Sequence, residues 1–400
     1  MITLEYARDM LCSLVVFRKL RLDPVIEAFY KVALCKGQKG YAVHERALLI
    51  SRFSAALLDT GESFSAYILS RLLLDDNAYI RKRAFQGAAD EQLEHSARLE
   101  LKALGKIGRM TTAQVQDELE CSFFIHPWRC EELDYSKAYE DYAARAGKTG
   151  WGMFSIYHMF LMDDKGCLLP VAQGDPITLS RLTGYERERQ AVIDNTRALL
   201  SGQPALNVLL YGDSGTGKSA SVKAVANEFK NDGLRLIELR RDQISQIPRL
   251  MAELCTNPLK FIIFIDDLSF GENSESFSPL KAILEGGVSV RARNTVIYAT
   301  SNRRHLVKES QSTREGDDVH LRDTLEEVSS LSERFGLTVT FLRPDRALYL
   351  DIVKNYCIAC CLDFNAETAD KAELFALKSG GRNARTARHF VENLSSMTRE

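Results

Sequence analysis

The sequence predicts an α/β domain with a buried parallel sheet, placed between two helical segments of the chain. Short apolar, β-branched runs alternate with helical segments in residues 176–342, which is typical of parallel strands buried on both faces. The runs are residues 208–211, 234–239, 261–265, 295–300 and 337–341. We therefore expect a five-stranded parallel sheet in this part of the chain.

The flanking segments have helical rather than strand periodicity. Residues 1–144 show amphipathic helical spacing, as in 45–53, and predict a mainly α-helical N-terminal domain. Glycine-rich and proline-containing breaks at 147–152 and 172–176 predict a linker over 145–175. Helical periodicity returns after Arg343-Pro344 and predicts a small helical domain over 343–400, after the α/β core at 176–342.

Composition excludes several broad classes of protein. The 400 residues include 52 Lys and Arg against 54 Asp and Glu, a formal charge of −2, so a bulk polyanion binder or a disordered chain is not expected. The nine cysteines are an odd number spread widely, which favours reduced thiols in a cytoplasm over a disulfide framework. The start lacks a basic leader, and no apolar run approaches the ~20 residues that cross a bilayer. We expect a cytoplasmic protein without a membrane segment.

A complete phosphate-binding motif follows the first predicted strand. Its glycines let backbone N–H groups turn toward phosphate oxygens, and the following helix adds its positive N-terminal end. Lys218 would contact the β- and γ-phosphates of ATP, and Ser219 would bind Mg²⁺. A glycine-rich turn without a ligand is the alternative, but a strand before and a helix after favour the nucleotide site. The predicted ATP-binding residues are Gly212, Asp213, Ser214, Gly215, Thr216, Gly217, Lys218, Ser219 and Ala220.

Two acids follow the third predicted strand. Asp266 is placed to hold Mg²⁺ through water, and Asp267 to orient or deprotonate an attacking water. Two acids after a strand can also be a solvated turn. Together with the phosphate-binding motif they predict a nucleotide-hydrolysing site.

With these motifs, residues 176–399 resemble an AAA+ ATPase. The resemblance implies that Asn302, at the end of the segment 295–302, is the sensor 1 residue, and that Arg334 in 332–336 is an arginine finger. Residues 380–388 resemble a sensor 2 segment, with Arg385 as first choice, Arg382 second and Arg388 also possible. Segments 182–188, 195–196, 298–306 and 334–337 are closer still to an uncharacterised bacterial AAA-type ATP-binding family with a helical N-terminal region.

Three of these residues keep alternative interpretations. Tyr185 lies where an adenine pocket usually forms, and it could stack on the base or simply pack. Arg334 could pair with Glu333 at the surface, whereas a finger role would complete a neighbour's site and imply a homo-oligomer. Most AAA+ proteins have Glu where this chain has Asp267, and the shorter carboxylate predicts slow turnover.

Two further clusters are expected to be structural. Cys357, Cys360 and Cys361 lie in a helical pattern without partner ligands nearby, so we expect core cysteines rather than a metal site. The basic cluster Arg291, Arg293, Arg303, Arg304 and His305 could contact nucleic acid, but the chain's charge and lack of a recognition motif do not favour this.

Taken together, the sequence predicts an ATPase that remodels or regulates a partner. AAA+ unfoldases that thread polypeptides often have a pore loop with an aromatic residue and a glycine after the second strand. Residues 240–248 contain neither, so a polypeptide-threading role is not expected. A slow or non-hydrolysing ATP-dependent switch is the main alternative, and a loader-like or initiator-like helper on nucleic acid is another. The helical N-terminal domain is expected to select a protein partner.

Overall fold

The computed structural model describes residues 2–36, 41–121, 123–268, 280, 283–284, 293–302 and 334–397. The chain forms two compact units, Met1–Ile156 and Tyr157–Glu400. The division between them falls inside residues 145–175, the range predicted to be a linker. No helix among the described residues has the length and apolarity needed to cross a bilayer.

The regular elements described in the first unit are helices. A short 3₁₀ helix, Arg18–Leu22, separates the first two α-helices. The α-helices are α1 (Leu4–Ser13), α2 (Pro24–Leu34), α3 (Val43–Leu58), α4 (Phe64–Leu74), α5 (Ala78–Gln86), α6 (Glu91–Ile107), α7 (Thr112–Glu118), α8 (Tyr135–Thr149) and α9 (Met153–Ile156).

Polar caps set where these helices begin. At α2, Pro24 occupies the first turn and the Asp23 carboxylate accepts hydrogen bonds from the Val25 and Ile26 N–H groups at 3.0 and 3.1 Å. Such caps satisfy N–H groups that have no partner inside the helix. The side chains that cap other helices in the same way are Thr3, Ser63, Asn77, Asp90, Thr111 and Asp134.

Aromatic rings fill the core of the first unit. Phe29, Phe53 and Phe64 are fully buried, with ring centroids 4.7 to 5.1 Å apart. The Trp128 ring lies 5.0 Å from Phe53 in an edge-to-face arrangement. Tilted and edge-to-face pairs at these distances are the favoured aromatic geometries, so this cluster joins α2, α3 and α4.

The second unit contains a seven-stranded sheet, so the prediction of five strands was wrong. The strands are β1 (Met159–Met162), β2 (Leu168–Pro170), β3 (Val208–Gly212), β4 (Leu234–Leu239), β5 (Lys260–Ile265), β6 (Thr295–Asn302) and β7 (Leu337–Phe341). Their order across the sheet is β2-β1-β4-β5-β6-β3-β7. Strands β3 to β7 are the five predicted strands, and they pair in parallel.

The two unpredicted strands extend the sheet beyond β4. Strand β1 pairs with β4 in parallel, and β2 pairs with β1 antiparallel. They have only four and three residues, and β2 is half-buried or exposed along its length. Strand β1 is apolar but has no β-branched residue, and β2 has three residues and ends in proline, so neither shows the β-branched run that identified the others; both lie in the range predicted to be a linker.

Helices pack around this sheet and continue beyond it. The α-helices are α10 (Glu186–Leu200), α11 (Lys218–Glu228), α12 (Ile247–Leu254), α13 (Arg346–Ala359), α14 (Ala366–Lys378) and α15 (Ala384–Met397). Helices α13 to α15 share a core that includes Tyr349, Ile352, Val353 and Phe390. They form the predicted C-terminal helical segment, which we call the lid helices.

The expectation of three core cysteines was wrong for two of them. Cys357 is buried in the core of the lid helices, but Cys360 and Cys361 are exposed. Helix α13 ends at Ala359, so the helical spacing that buries Cys357 does not extend to the next two residues.

The strand register brings the candidate residues to one edge of the sheet. Gly212 at the end of β3 lies opposite Asn302 on one side and Phe341 on the other. Ile265, the last residue of β5, lies opposite Ala299 in β6, and Asp266 follows directly. Ligands bind at the carboxyl ends of parallel strands in open α/β sheets, so this edge is the expected position of a ligand site.

Candidate functional site

The loop between β3 and α11, residues 212–219, has the backbone shape of a P-loop. Gly212 has φ +141°, and a Cβ added there would lie 2.0 Å from the Phe341 carbonyl oxygen, so only glycine fits. Gly217 has φ +96° and caps the start of α11, with open space where a Cβ would stand. The first N–H groups of α11 have no partner within the helix, which makes this end a site for anions. The loop therefore suits a phosphate chain.

Lys218 is buried with its amino group turned toward the loop. Its side chain is only 5% exposed, and Nζ donates to the carbonyl oxygens of Gly212 and Asp213 at 2.9 and 2.7 Å. It also donates to Oδ1 of Asn302 at 3.0 Å. Burial lowers the pKa of Lys218 to about 8, although Asp213, Asp266 and Asp267 favour the charged form and raise it in part. Phosphate groups at this position would supply the negative charge that the buried ammonium lacks.

The predicted metal residues lie in contact with one another. The Ser219 hydroxyl donates to Oδ1 of Asp266 at 2.6 Å, and the Thr300 hydroxyl donates to the same oxygen at 2.6 Å. Mg²⁺ prefers oxygen ligands, keeps several waters and uses one or two carboxylates beside substrate phosphates. A hydroxyl and a carboxylate at the end of the P-loop fit that preference.

Asp267 is the centre of a second group of contacts. Its carboxylate Oδ1 accepts a hydrogen bond from Nδ2 of Asn302 at 2.6 Å, so Asn302 bridges Lys218 and Asp267. Arg241 donates through Nε to the Asp267 carbonyl oxygen at 2.8 Å, and its Nη2 lies 3.7 Å from Oδ2. The Asp267 side chain is 52% exposed, so its carboxylate is open to water.

Tyr185 lies at the connection between β7 and the lid helices. Its hydroxyl donates to the Leu342 carbonyl oxygen at 2.6 Å, and its ring lies 5.2 Å from that of Phe341. Burial raises the pKa of Tyr185 to about 12. The Tyr185 hydroxyl thus has a hydrogen-bond partner in this chain, and stacking of the ring on adenine stays a prediction.

The three sensor 2 candidates have different surroundings. Arg382 pairs with Glu373 at 2.7 Å, and Arg388 pairs with Glu392 at 2.7 Å, both within the lid helices. Arg385 lies beside the P-loop, because its Cβ would be 3.4 Å from a Cβ added at Gly215. The Ala384 N–H group also donates to the Gly215 carbonyl oxygen at 3.0 Å. The first turn of α15 therefore contacts the loop, with Arg385 in that turn.

The remaining predicted residues are Arg334 and the five residues of the basic cluster. Arg334 is half-buried just before β7, and its finger role, which needs a second chain, stays a prediction. Arg293 is exposed. The remaining members of the basic cluster, Arg291, Arg303, Arg304 and His305, lie outside the described residues.

Two residues in the network, Thr300 and Arg241, were missed by the sequence analysis. Thr300 precedes Asn302 by two positions in a strand, so the strand period places both on one face and could have identified it. Arg241 lies in a 3₁₀ helix, Arg241–Gln246, that follows β4. Its contact with Asp267 depends on how β4 and β5 pair, and no local signal marks it.

Comparison with protein families identifies the second unit. A family model described as "Protein of unknown function (DUF815)" matches residues 155–398, more than half of the chain. The chain belongs to the DUF815 family. None of the curated proteins compared with the sequence matches it.

Three solved structures that match this chain have low identity to it. A RuvB Holliday junction branch migration motor from Thermotoga maritima is 16% identical, with a TM-score of 0.38 over 56% of this chain and 65% of that chain. AMPPCP-bound DnaA from Aquifex aeolicus is 20% identical, with a TM-score of 0.37 over 55% and 65%. The FIGL-1 AAA domain in complex with ADP is 16% identical, with a TM-score of 0.37 over 56% and 74%. The chain thus spans 65% of the length of the RuvB and DnaA chains.

The second unit is an α/β fold with a P-loop between β3 and α11. In this fold the P-loop, the two acids after β5 and Asn302 at the end of β6 lie at one edge of the sheet, and the AAA+ roles that the resemblance implied for them stay predictions.

Proposed function

We propose that the chain binds ATP with Mg²⁺ at the P-loop and hydrolyses it to ADP and phosphate. The observation that carries the proposal is the hydrogen-bonded convergence of residues from three adjacent strand ends. Lys218 contacts Asn302 at 3.0 Å, Asn302 contacts Asp267 at 2.6 Å, and Ser219 contacts Asp266 at 2.6 Å. Phosphoryl transfer needs mainly positioning and neutralisation of charge, and these groups supply both.

Each residue has one role in the proposed reaction. Lys218 and the loop N–H groups hold the β- and γ-phosphates, and Asn302 senses the γ-phosphate. Ser219 and Asp266 would hold Mg²⁺, which when bound would neutralise charge developing on the phosphate oxygens. Asp267 accepts a hydrogen bond from the attacking water. The water oxygen forms a bond to the γ-phosphorus, the bond from that phosphorus to the β–γ bridging oxygen breaks, and the water proton leaves through Asp267.

Phosphate release tests this proposal. Lys218→Ala removes the buried ammonium, and we expect at least a ~100-fold lower rate, as when one electrostatic donor to a transition state is lost. Lys223→Ala is the matched control, because Lys223 lies on the same helix but pairs with Glu238 at 3.1 Å. Equal rates in wild-type and Lys218→Ala proteins would remove the enzymatic claim.

A second candidate function is an ATP-dependent switch with very slow turnover. The contacts of Asp267 favour it, because Asn302 already occupies one carboxylate oxygen and Arg241 faces the other. Nucleotide extracted from the protein after a single loading with ATP separates the two functions. ATP that persists for hours while partner binding changes supports the switch, and rapid formation of ADP contradicts it.

Assembly and partner choice are part of the proposal. Arg334 would contact nucleotide bound to a neighbouring copy in a homo-oligomer, and the helical unit Met1–Ile156 would bind a protein partner in the cytoplasm. Mixing Arg334→Ala with Lys218→Ala chains tests the first point. Partial recovery of turnover in the mixture is expected, because each variant supplies the group the other lacks, and no recovery would contradict a role in trans.

A further inference from the structure

The backbone at Asp267 has an unusual conformation. Its φ is +55°, in the left-handed region that side chains with a Cβ rarely adopt. Aspartate and asparagine occur there several times more often than other residues of this kind. The turn after β5 therefore favours Asp over the longer Glu at this position for a local backbone reason.

Thr300 holds this turn from the neighbouring strand. It is 2% exposed, and its hydroxyl oxygen accepts a hydrogen bond from the Asp267 N–H group at 2.8 Å. The hydroxyl proton goes to Oδ1 of Asp266 at 2.6 Å, which uses the donor and acceptor capacity of one hydroxyl together. The Thr300 carbonyl oxygen accepts the next N–H group, that of Leu268, at 2.7 Å.

Arg241 holds the turn from the other side. Its guanidinium binds the Asp267 carbonyl oxygen through Nε at 2.8 Å and also through Nη2. The segment that carries Arg241 is itself fixed, because the buried Gln243 side chain donates to the Met162 and Asp163 carbonyl oxygens at 3.0 and 3.2 Å. Both backbone groups of Asp267, its N–H and its carbonyl, thus have a side-chain partner.

We propose that Thr300 and Arg241 are positioning residues for Asp267. They hold its backbone in the left-handed conformation, and this directs the short carboxylate to Asn302 and the Lys218 end of the P-loop. This inference rests on the proposed ATPase function. It also changes the meaning of Asp in place of Glu: the shorter side chain is matched to the turn, so a glutamate at position 267 slows turnover instead of restoring it.

Steady-state kinetics with matched controls test the two positioning residues. Thr300→Val and Arg241→Met are expected to lower kcat by at least ~10-fold, since a displacement of ~1 Å can cost ~100-fold, while KM for ATP stays within about threefold. Thr300→Ser keeps the hydroxyl and is expected to recover most of the rate. Thr295→Val, on the same strand, and Arg240→Met, next along the chain, are controls that do not contact Asp267 and should leave kcat unchanged.

A merely structural role would give a different result. Arg241→Met is expected to add little to the loss already caused by Asp267→Asn, because both act through the same carboxylate. Arg241 is 44% exposed, so this variant tests the inference even if Thr300→Val folds poorly. If the decreases in kcat caused by Arg241→Met and Asp267→Asn multiply in the double variant, the assignment of Arg241 as a positioning residue is overturned. A higher kcat for Arg241→Met than for wild type would overturn it as well.

The glutamate variant gives the remaining test. Asp267→Glu is expected to lower kcat by at least ~10-fold. A rate equal to or above wild type would overturn the inference. If no hydrolysis depends on Lys218 in the wild-type protein, the proposed function fails and this inference with it; if hydrolysis depends on Lys218 but not on Thr300 or Arg241, only the inference fails.

Discussion

The low pKa of Lys218 predicts that ATP binding takes up a proton in mildly alkaline solution. Burial lowers this pKa from 10.5 to about 8, and the side chain is only 5% exposed. In the free protein, about 0.9 of the Lys218 side chains are neutral at pH 9 and about 0.1 at pH 7. A triphosphate beside Nζ requires the ammonium, so the complex holds the proton at both values of pH.

Two magnitudes follow from these fractions. ATP binding should take up about 0.9 protons per chain at pH 9 and about 0.1 at pH 7, and affinity should be about tenfold weaker at pH 9. Without nucleotide, the native lysine binds fewer protons than the unfolded one between pH 8 and 10.5. The term from Lys218 in the free energy of unfolding should therefore rise with pH across this window by about 3 kcal/mol.

Calorimetry in two buffers with different ionisation enthalpies measures the uptake. Lys218→Arg is the matched control, because a guanidinium remains charged throughout this range and should bind ATP without taking up the proton. Subtracting the control removes contributions from the nucleotide and from other groups. Equal proton uptake in the two proteins at pH 9 would refute the reasoning about burial of Lys218.

Two further predictions concern packing. Gly212→Ala places a Cβ 2.0 Å from the Phe341 carbonyl oxygen at φ +141°. The substitution should lower the free energy of unfolding by about 3 kcal/mol or more and Tm by at least about 6 °C. A calorimetric Tm within about 2 °C of wild type would contradict this. Phe29→Ala removes a fully buried ring from its cluster with Phe53 and Phe64. The free energy of unfolding of the first unit, measured in urea, should fall by about 3–5 kcal/mol. A decrease below about 1 kcal/mol would mean that the cluster does not stabilise the unit.

Local signals account for the parts of the fold that the sequence predicted. Strands β3 to β7 consist largely of apolar and β-branched residues, and the P-loop joins β3 to α11 in the order its motif requires. Strands β1 and β2 were not predicted because they are short, β1 has no β-branched residue and β2 ends in proline. Their place in the sheet comes from pairing with β4, which only the folded chain shows.

The site was predictable to a similar extent. Lys218, Ser219 and Asp266 follow from motif spacing, and Asn302 follows from the resemblance to AAA+ ATPases. The structure places the four in one hydrogen-bonded network through Thr300 and Asp267. Thr300 could have been predicted from the two-residue period of the strand, which places it on the same face as Asn302. Arg241 could not have been predicted, because its contact joins the segment after β4 to the turn after β5, and no sequence pattern near Arg241 indicates that contact.

Binding of ATP itself is the most direct test of the P-loop assignment. Equilibrium dialysis of the full chain against labelled ATP with Mg²⁺ should find one nucleotide per chain with a Kd well below millimolar, and Lys218→Ala should bind at least about tenfold more weakly. No bound nucleotide at millimolar ATP, or equal binding by the two proteins, would contradict the account.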